Sequence, residues 1–136
     1  MHTVRVATVS DSATIARQRC AMFQDNGLMA AVTFAELESA STLWLQRHLA
    51  YGSYVGWLVE RDGEAIAGAG VWFMEWPPHY LDVNPMRGYL LNFYVRPEAR
   101  GHGLAKELLR LATAECRKRG VHVAVLHASA MGRSRL

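Results

Sequence analysis

The stretch VRPEARGHGLAKELL, residues 95–109, sets Arg-Gly-His-Gly between a strand-like run and a helix-like one. It constrains the fold more than any other part of the chain. Upstream, GYLLNFYV reads as a strand. Downstream, Leu104, Leu108, Leu111, Ala112 and Cys116 recur at three- and four-residue steps while Lys106, Arg110, Arg117 and Lys118 take other faces, the pattern of an amphipathic helix. VHVAVLHA then reads as an apolar strand, and strand, helix, strand implies a right-handed crossover joining parallel strands. In such a unit the unpaired N–H groups that open the helix converge on the turn, where the backbone dipoles sum to about half a positive charge. Gly101 and Gly103 permit a tight turn and a close approach to the backbone. No acidic residue lies between Ala99 and Lys106, and Arg100 and Lys106 add positive charge. The stretch reads as an anion cradle, or as an ordinary tight turn that glycines also serve.

The charge distribution bears on that choice. The chain of 136 residues has a formal charge of +3, but residues 1–95 hold six Lys or Arg against nine Asp or Glu, and residues 96–136 hold nine against three. The basic third is the one with the glycine turn, which suits either an anionic partner or a solvated helix face. Its cations are spread around one helix without an aromatic stacking motif, so a phosphate-bearing small molecule is a better expectation than nucleic acid. The length suits one domain spanning 1–136, and 51% hydrophobic against 20% charged residues supports a folded core. No run reaches the roughly 18 uncharged apolar residues of a membrane span, and MHTVRVATVSDS lacks a signal-peptide core, so a cytoplasmic protein without a membrane partner is expected. Cys20 and Cys116 fall in separate helix-like segments without metal-ligand spacing, which predicts buried free thiols and no metal.

Elsewhere, HTVRVATV alternates as a first strand, and Ser10 or Ser12 is placed to cap a helix running to the Asp-Asn-Gly at residues 25–27. A second helix is expected over TFAELESASTLWLQRHLA. YVGWLVE, the turn RDGE and AIAGAGVWF predict a hairpin, since Asp-Gly favours positive backbone angles. MEWPPHYLDVNPMR, with its three prolines, predicts an irregular loop.

The turn does not fit the better-known phosphate motifs. A P-loop needs Gly-x-x-x-x-Gly-Lys-Ser/Thr, and a dinucleotide fingerprint needs a small residue where Lys106 stands and a later acid for the ribose. Arg100, Gly103 and Ala105 do match Gln/Arg-x-x-Gly-x-Gly/Ala, and with the order of elements around it the chain resembles the GNAT superfamily of acyl-CoA N-acyltransferases. That resemblance implies an α/β (α+β) fold, a mixed central sheet flanked by helices. It implies that Arg100, Gly101, His102, Gly103, Leu104, Ala105 and Lys106 bind the coenzyme pyrophosphate, and that Ser129 takes the place of a coenzyme-contacting asparagine. It also implies that Phe93, Tyr94 and Val95 pair with the pantetheine arm where their strand parts from its parallel neighbour.

The reaction implied is direct attack of a primary amine, on a small molecule or peptide, on acetyl-CoA. Many relatives place a base glutamate where this chain has Tyr89, which is no base near neutral pH. Tyr89 and Asn92 are the candidate catalytic residues; Asn92 either orients a water or the acceptor, or is a hydrogen-bonded structural residue. Glu75, His79, Asp82 and His127 are further candidates or ordinary solvated or structural residues, and Trp72, Phe73, Trp76 and Tyr80 either wall an acceptor pocket or pack the core and loop. The family usually continues past HASAMGR with a helix and two strands, so the chain is expected to be shortened or to have its sheet edge covered by a second subunit, as in a homodimer. A non-catalytic acyl-CoA-binding module is the alternative function.

Overall fold

In the computed structural model, which describes residues 1–121 and 124–126, Asp62 and Gly63 turn the central hairpin with φ of 54° and 78°. These are the angles that a two-residue turn between twisted strands demands. The hairpin strands β2 (Tyr54–Arg61) and β3 (Glu64–Glu75) form the middle of a five-stranded sheet. β1 (Thr3–Val6) pairs antiparallel with β2, and β4 (Met86–Val95) antiparallel with β3. β5 (Ala124–Leu126) runs parallel to β4, so the expected crossover is present.

Among the described residues, three α-helices cover the two faces. α1 (Ser12–Asp25) and α2 (Phe34–Tyr51) lie on one side, and α3 (Leu104–Lys118) on the other. Against α3 pack Val59, Val71 and Leu90 with Leu104, Leu108 and Cys116; against α1 and α2 pack Ile15, Ala16, Leu45, Tyr54 and Leu58. With both faces buried, AIAGAGVWF carries small and apolar residues throughout instead of alternating with polar ones. Each fully buried Leu contributes about 1.5–3 kcal/mol. Glycine at Gly70 answers a close approach: a Cβ there would overlap the ring and hydroxyl of Tyr54. Cys20 and Cys116 are free and buried, as expected. No helix among the described residues is long and apolar enough to cross a membrane.

The start of the chain differs from the sequence expectation. β1 ends at Val6 because the Asp11 carboxylate draws the chain out of the sheet, accepting from the Thr8 N–H at 2.7 Å and from Arg5 at 2.8 and 2.9 Å. Neither serine caps α1: Asp11 occupies the N-cap position, and Ser12 Oγ donates to the Val9 carbonyl at 2.7 Å. α2 instead opens with a reciprocal cap, Thr33 Oγ1 accepting from the Glu36 N–H and Glu36 accepting from the Thr33 N–H.

Candidate active site

β4 contains a β-bulge that no turn residue announces in the sequence. Gly68 pairs with Tyr94 and Gly70 with Leu91, so Asn92 and Phe93 together oppose Ala69. Asn92 has φ 61°, a left-handed conformation that asparagine tolerates better than most side-chain-bearing residues. Its amide is buried, at 2% exposure. Oδ1 accepts from Arg19 Nη1 at 2.7 Å, and Nδ2 donates to the Tyr54 hydroxyl at 3.1 Å. Since a guanidinium only donates, the amide orientation follows. Complete burial pushes the Tyr54 phenol up to about 12, so Tyr54 is a neutral member of this network. The guanidinium of Arg19 lies over the Phe23 ring, 4.7 Å from its centroid.

Toward the end of β4 a groove of about 820 Å³ opens. Met22 and Asp25 from α1 with Asn26 at its C-cap form one wall, Phe93, Tyr94 and Val95 another, and Arg100, Gly101, Gly103, Leu104, Ala105 and Lys106 close the end. Residues distant from one another in kind thus share one cavity. The ladder between β4 and β5 joins Gly88–Leu90 to Ala124–Leu126, so Phe93, Tyr94 and Val95 lie beyond its described part. His102 departs from the others: it lines a separate cavity of about 240 Å³ with His2 and Arg61. Ser129 and His127 lie outside the described residues.

Gly101 and Gly103 adopt φ of 82° and 81°, and a Cβ on either would meet nothing within 4 Å. Within the protein their need for glycine is therefore the positive φ of the tight turn, one of the two reasons that the sequence offers. Gly103 is the N-cap of α3, and the helix's first N–H groups, with no intrahelical acceptor, belong to groove-lining residues. The local sequence shows no acid here, yet the fold imports one. Arg100 Nη2 pairs with Asp25 at 3.0 Å, while its Nε donates to the Val95 carbonyl at 2.9 Å.

Tyr89 stands on the α1 and α2 side of the sheet, opposite Trp72 in the ladder. Burial raises its phenol above the ordinary value. Trp72 also meets Trp44 edge-on, and Trp44 stacks on His48 at 3.9 Å. Of the four aromatics considered for an acceptor wall, only Trp72 joins this cluster. Phe73 points to the other face, 5% exposed and beneath the Arg119 guanidinium at 4.2 Å, because neighbouring strand residues alternate sides. Trp76 and Tyr80 are exposed. Glu75 is exposed too, while His79 and Asp82 accept from the backbone N–H groups of Leu81 and Asn84 and so shape their own loop. Sequence reasoning missed Arg19, Tyr54 and Asp25, none of which belongs to a local motif.

The fold and groove define an α+β domain whose strand, glycine turn and helix N-terminus form a basic-rimmed site suited to an anion. Residues 21–132 match the acetyltransferase (GNAT) family, and the chain belongs to that family. It is similar to a GCN5-related N-acetyltransferase from Ralstonia eutropha JMP134, at 40% identity and a TM-score of 0.90, over 98% of this chain and 87% of that one. It is also similar to a "predicted acetyltransferase with acetyl-CoA" from Clostridium acetobutylicum, at 28% identity and a TM-score of 0.90, over 98% and 84% of the two chains. Glucosamine-6-phosphate N-acetyltransferase from Arabidopsis thaliana shares the fold, at 17% identity and a TM-score of 0.68, over 96% and 84%. A comparison with curated proteins gives no match.

Proposed function

We propose that the chain transfers an acetyl group from acetyl-CoA to a primary amine of a small molecule or peptide by direct attack. The observation that carries this reading is the groove, in which the strand end at Phe93, Tyr94 and Val95 and, apart from His102, the turn from Arg100 to Lys106 line one cavity of about 820 Å³. Backbone N–H groups at the start of α3 hold the pyrophosphate, with Arg100 and Lys106 supplying charge. The pantetheine arm takes ladder positions along Phe93, Tyr94 and Val95. His102 contributes backbone to the turn, and Ser129 contacts the coenzyme.

The amine lone pair attacks the thioester carbonyl carbon. A C–N bond forms, the C–S bond breaks, and the thiolate takes up the proton that the nitrogen releases. Orientation supplies much of the acceleration, and a backbone N–H near residues 92–94 polarises the carbonyl. Tyr89, with its phenol raised by burial, stays protonated near neutral pH and acts as a hydrogen-bond donor, not as a base. Asn92 holds the bulge and orients Arg19. Having Tyr89 where relatives carry glutamate favours the second reading, a non-catalytic acyl-CoA-binding module.

Calorimetric titration with acetyl-CoA and thiol release over an amine panel separate the readings. Binding with turnover supports the transferase, binding without turnover supports the module, and no binding at millimolar concentration removes both. Gly103→Val places a β-branched residue at positive φ, at a cost of about 1–2 kcal/mol locally, and is expected to abolish coenzyme binding while the fold persists by circular dichroism. Retained affinity would show the loop assignment to be wrong.

A further inference from the structure

Arg19 and Met22 of α1 and Asn26, the residue that caps its end, follow one face of the helix. Met22 and Asn26 line the groove, and Arg19, about one turn before Met22 and not itself in the groove lining, lies beside the bulge. Its Nη1 donates to Asn92 and its plane is held against Phe23. Nε and Nη2 donate to no group among the described residues, and no carboxylate among them pairs with Arg19.

Several other arginines among the described residues have carboxylate or carbonyl partners. Arg5, Arg17, Arg96, Arg100 and Arg119, all more solvated, pair with Asp or Glu. The buried Arg87 donates to the carbonyls of Asp82, Asn84 and Met86. Arg19 is half-buried and, alone among these, has neither a carboxylate nor a set of carbonyls against it among the described residues: the groups that act on it are Tyr54, Tyr89 and Cys20, neutral near pH 7, and partial burial lowers its pKa from the usual value. A half-buried guanidinium gains from an anion that meets its free edge, because the pair is less screened there than on an open surface. The edge left unused, Nε with Nη2, offers the parallel N–H pair that grips a carboxylate through both oxygens.

We propose that this edge of Arg19 binds a carboxylate of the acceptor, so that the amine acetylated is a carboxylate-bearing one of amino-acid type. The inference rests on the transferase reading and names its substrate class. A carboxylate fixed beside the bulge at Asn92 anchors the amine next to the strand residues assigned to the thioester, and excludes amines that leave Arg19 unpaired.

The test measures kcat/KM by thiol release for a panel of L-amino acids and their carboxamides, compared at equal concentrations of free amine. The wild type is expected to favour the carboxylate member by about tenfold or more. Arg19→Lys keeps the charge but loses the fork; it should reduce the preference to about threefold or less, chiefly through KM of the carboxylate member, leaving acetyl-CoA affinity within about twofold. Arg19→Gln, which keeps a donor toward Asn92, should do the same, with circular dichroism reporting the fold of each variant. A wild type indifferent to the carboxylate, or a variant that slows both members equally, would overturn the proposal. Acetyl-CoA binding without turnover of any carboxylate-bearing amine would also overturn it. Absence of acetyl-CoA binding would instead overturn the reading of the groove.

Discussion

Replacing Asn92 with alanine should destabilise the protein by about 4 kcal/mol, and the structure divides that loss into separable parts. The charge-assisted bond from Arg19 at 2.7 Å is worth about 2 kcal/mol, because its loss strips a desolvated cation of its partner. Losing the bond to the fully buried Tyr54 hydroxyl costs about 1 kcal/mol. Alanine at φ 61° adds about 1 kcal/mol of backbone strain that asparagine bears more easily. Against a typical stability of about 5–15 kcal/mol this is a large fraction. With a urea slope of about 1.4 kcal/mol/M, the unfolding midpoint should fall by about 3 M. Asn92→Gly forfeits the same hydrogen bonds yet fits the left-handed backbone, so it should recover about 1 kcal/mol. Urea titrations followed by circular dichroism measure both variants. An alanine variant within about 1 kcal/mol of wild type, or a glycine variant no better than alanine, would refute the account of the bulge.

Asp25→Asn removes the carboxylate that holds Arg100 at 3.0 Å across the mouth of the groove. Calorimetry should show acetyl-CoA binding about two- to fivefold tighter, with a steeper loss on adding salt; unchanged affinity would mean that Arg100 does not meet the coenzyme's anion. Acid stability should depend on Asp11, whose carboxyl is held down at about 2, chiefly by hydrogen bonds from Arg5. A folded pKa below the ordinary value contributes stability that is complete above about pH 4 and is lost as pH falls through about 2. Arg5 is partly exposed, so Asp11→Asn should cost about 1–2 kcal/mol at pH 7. Urea midpoints measured down the pH scale should show that gap closing in acid, and a constant gap would contradict the assignment.

Much of the architecture is legible because local chemistry announces it. Asp62-Gly63 turns the hairpin, Thr33 with Glu36 opens α2, and the heptad-like spacing from Leu104 to Cys116 sets the buried stripe of α3. The errors arise where a distant partner outbids the local preference. Asp11 ends β1 and displaces the serine caps because Arg5 lies beside it in space. Phe73, left by the sequence as either pocket wall or core, belongs to the core, and the strand's alternation puts Trp72 on the opposite face.

The sequence by itself determined the strand, the Arg-Gly-His-Gly turn and the helix that follows, since each is written in residues adjacent along the chain. It also determined that this stretch is basic. Only the tertiary structure decided that Asp25 lies against Arg100 and that Asn92 joins Arg19 to Tyr54. Those contacts span tens of residues, and the bulge that turns Asn92 inward comes from how β3 and β4 pair. A half-buried guanidinium held by an amide far along the chain is a property of surroundings, which no local run of residues encodes.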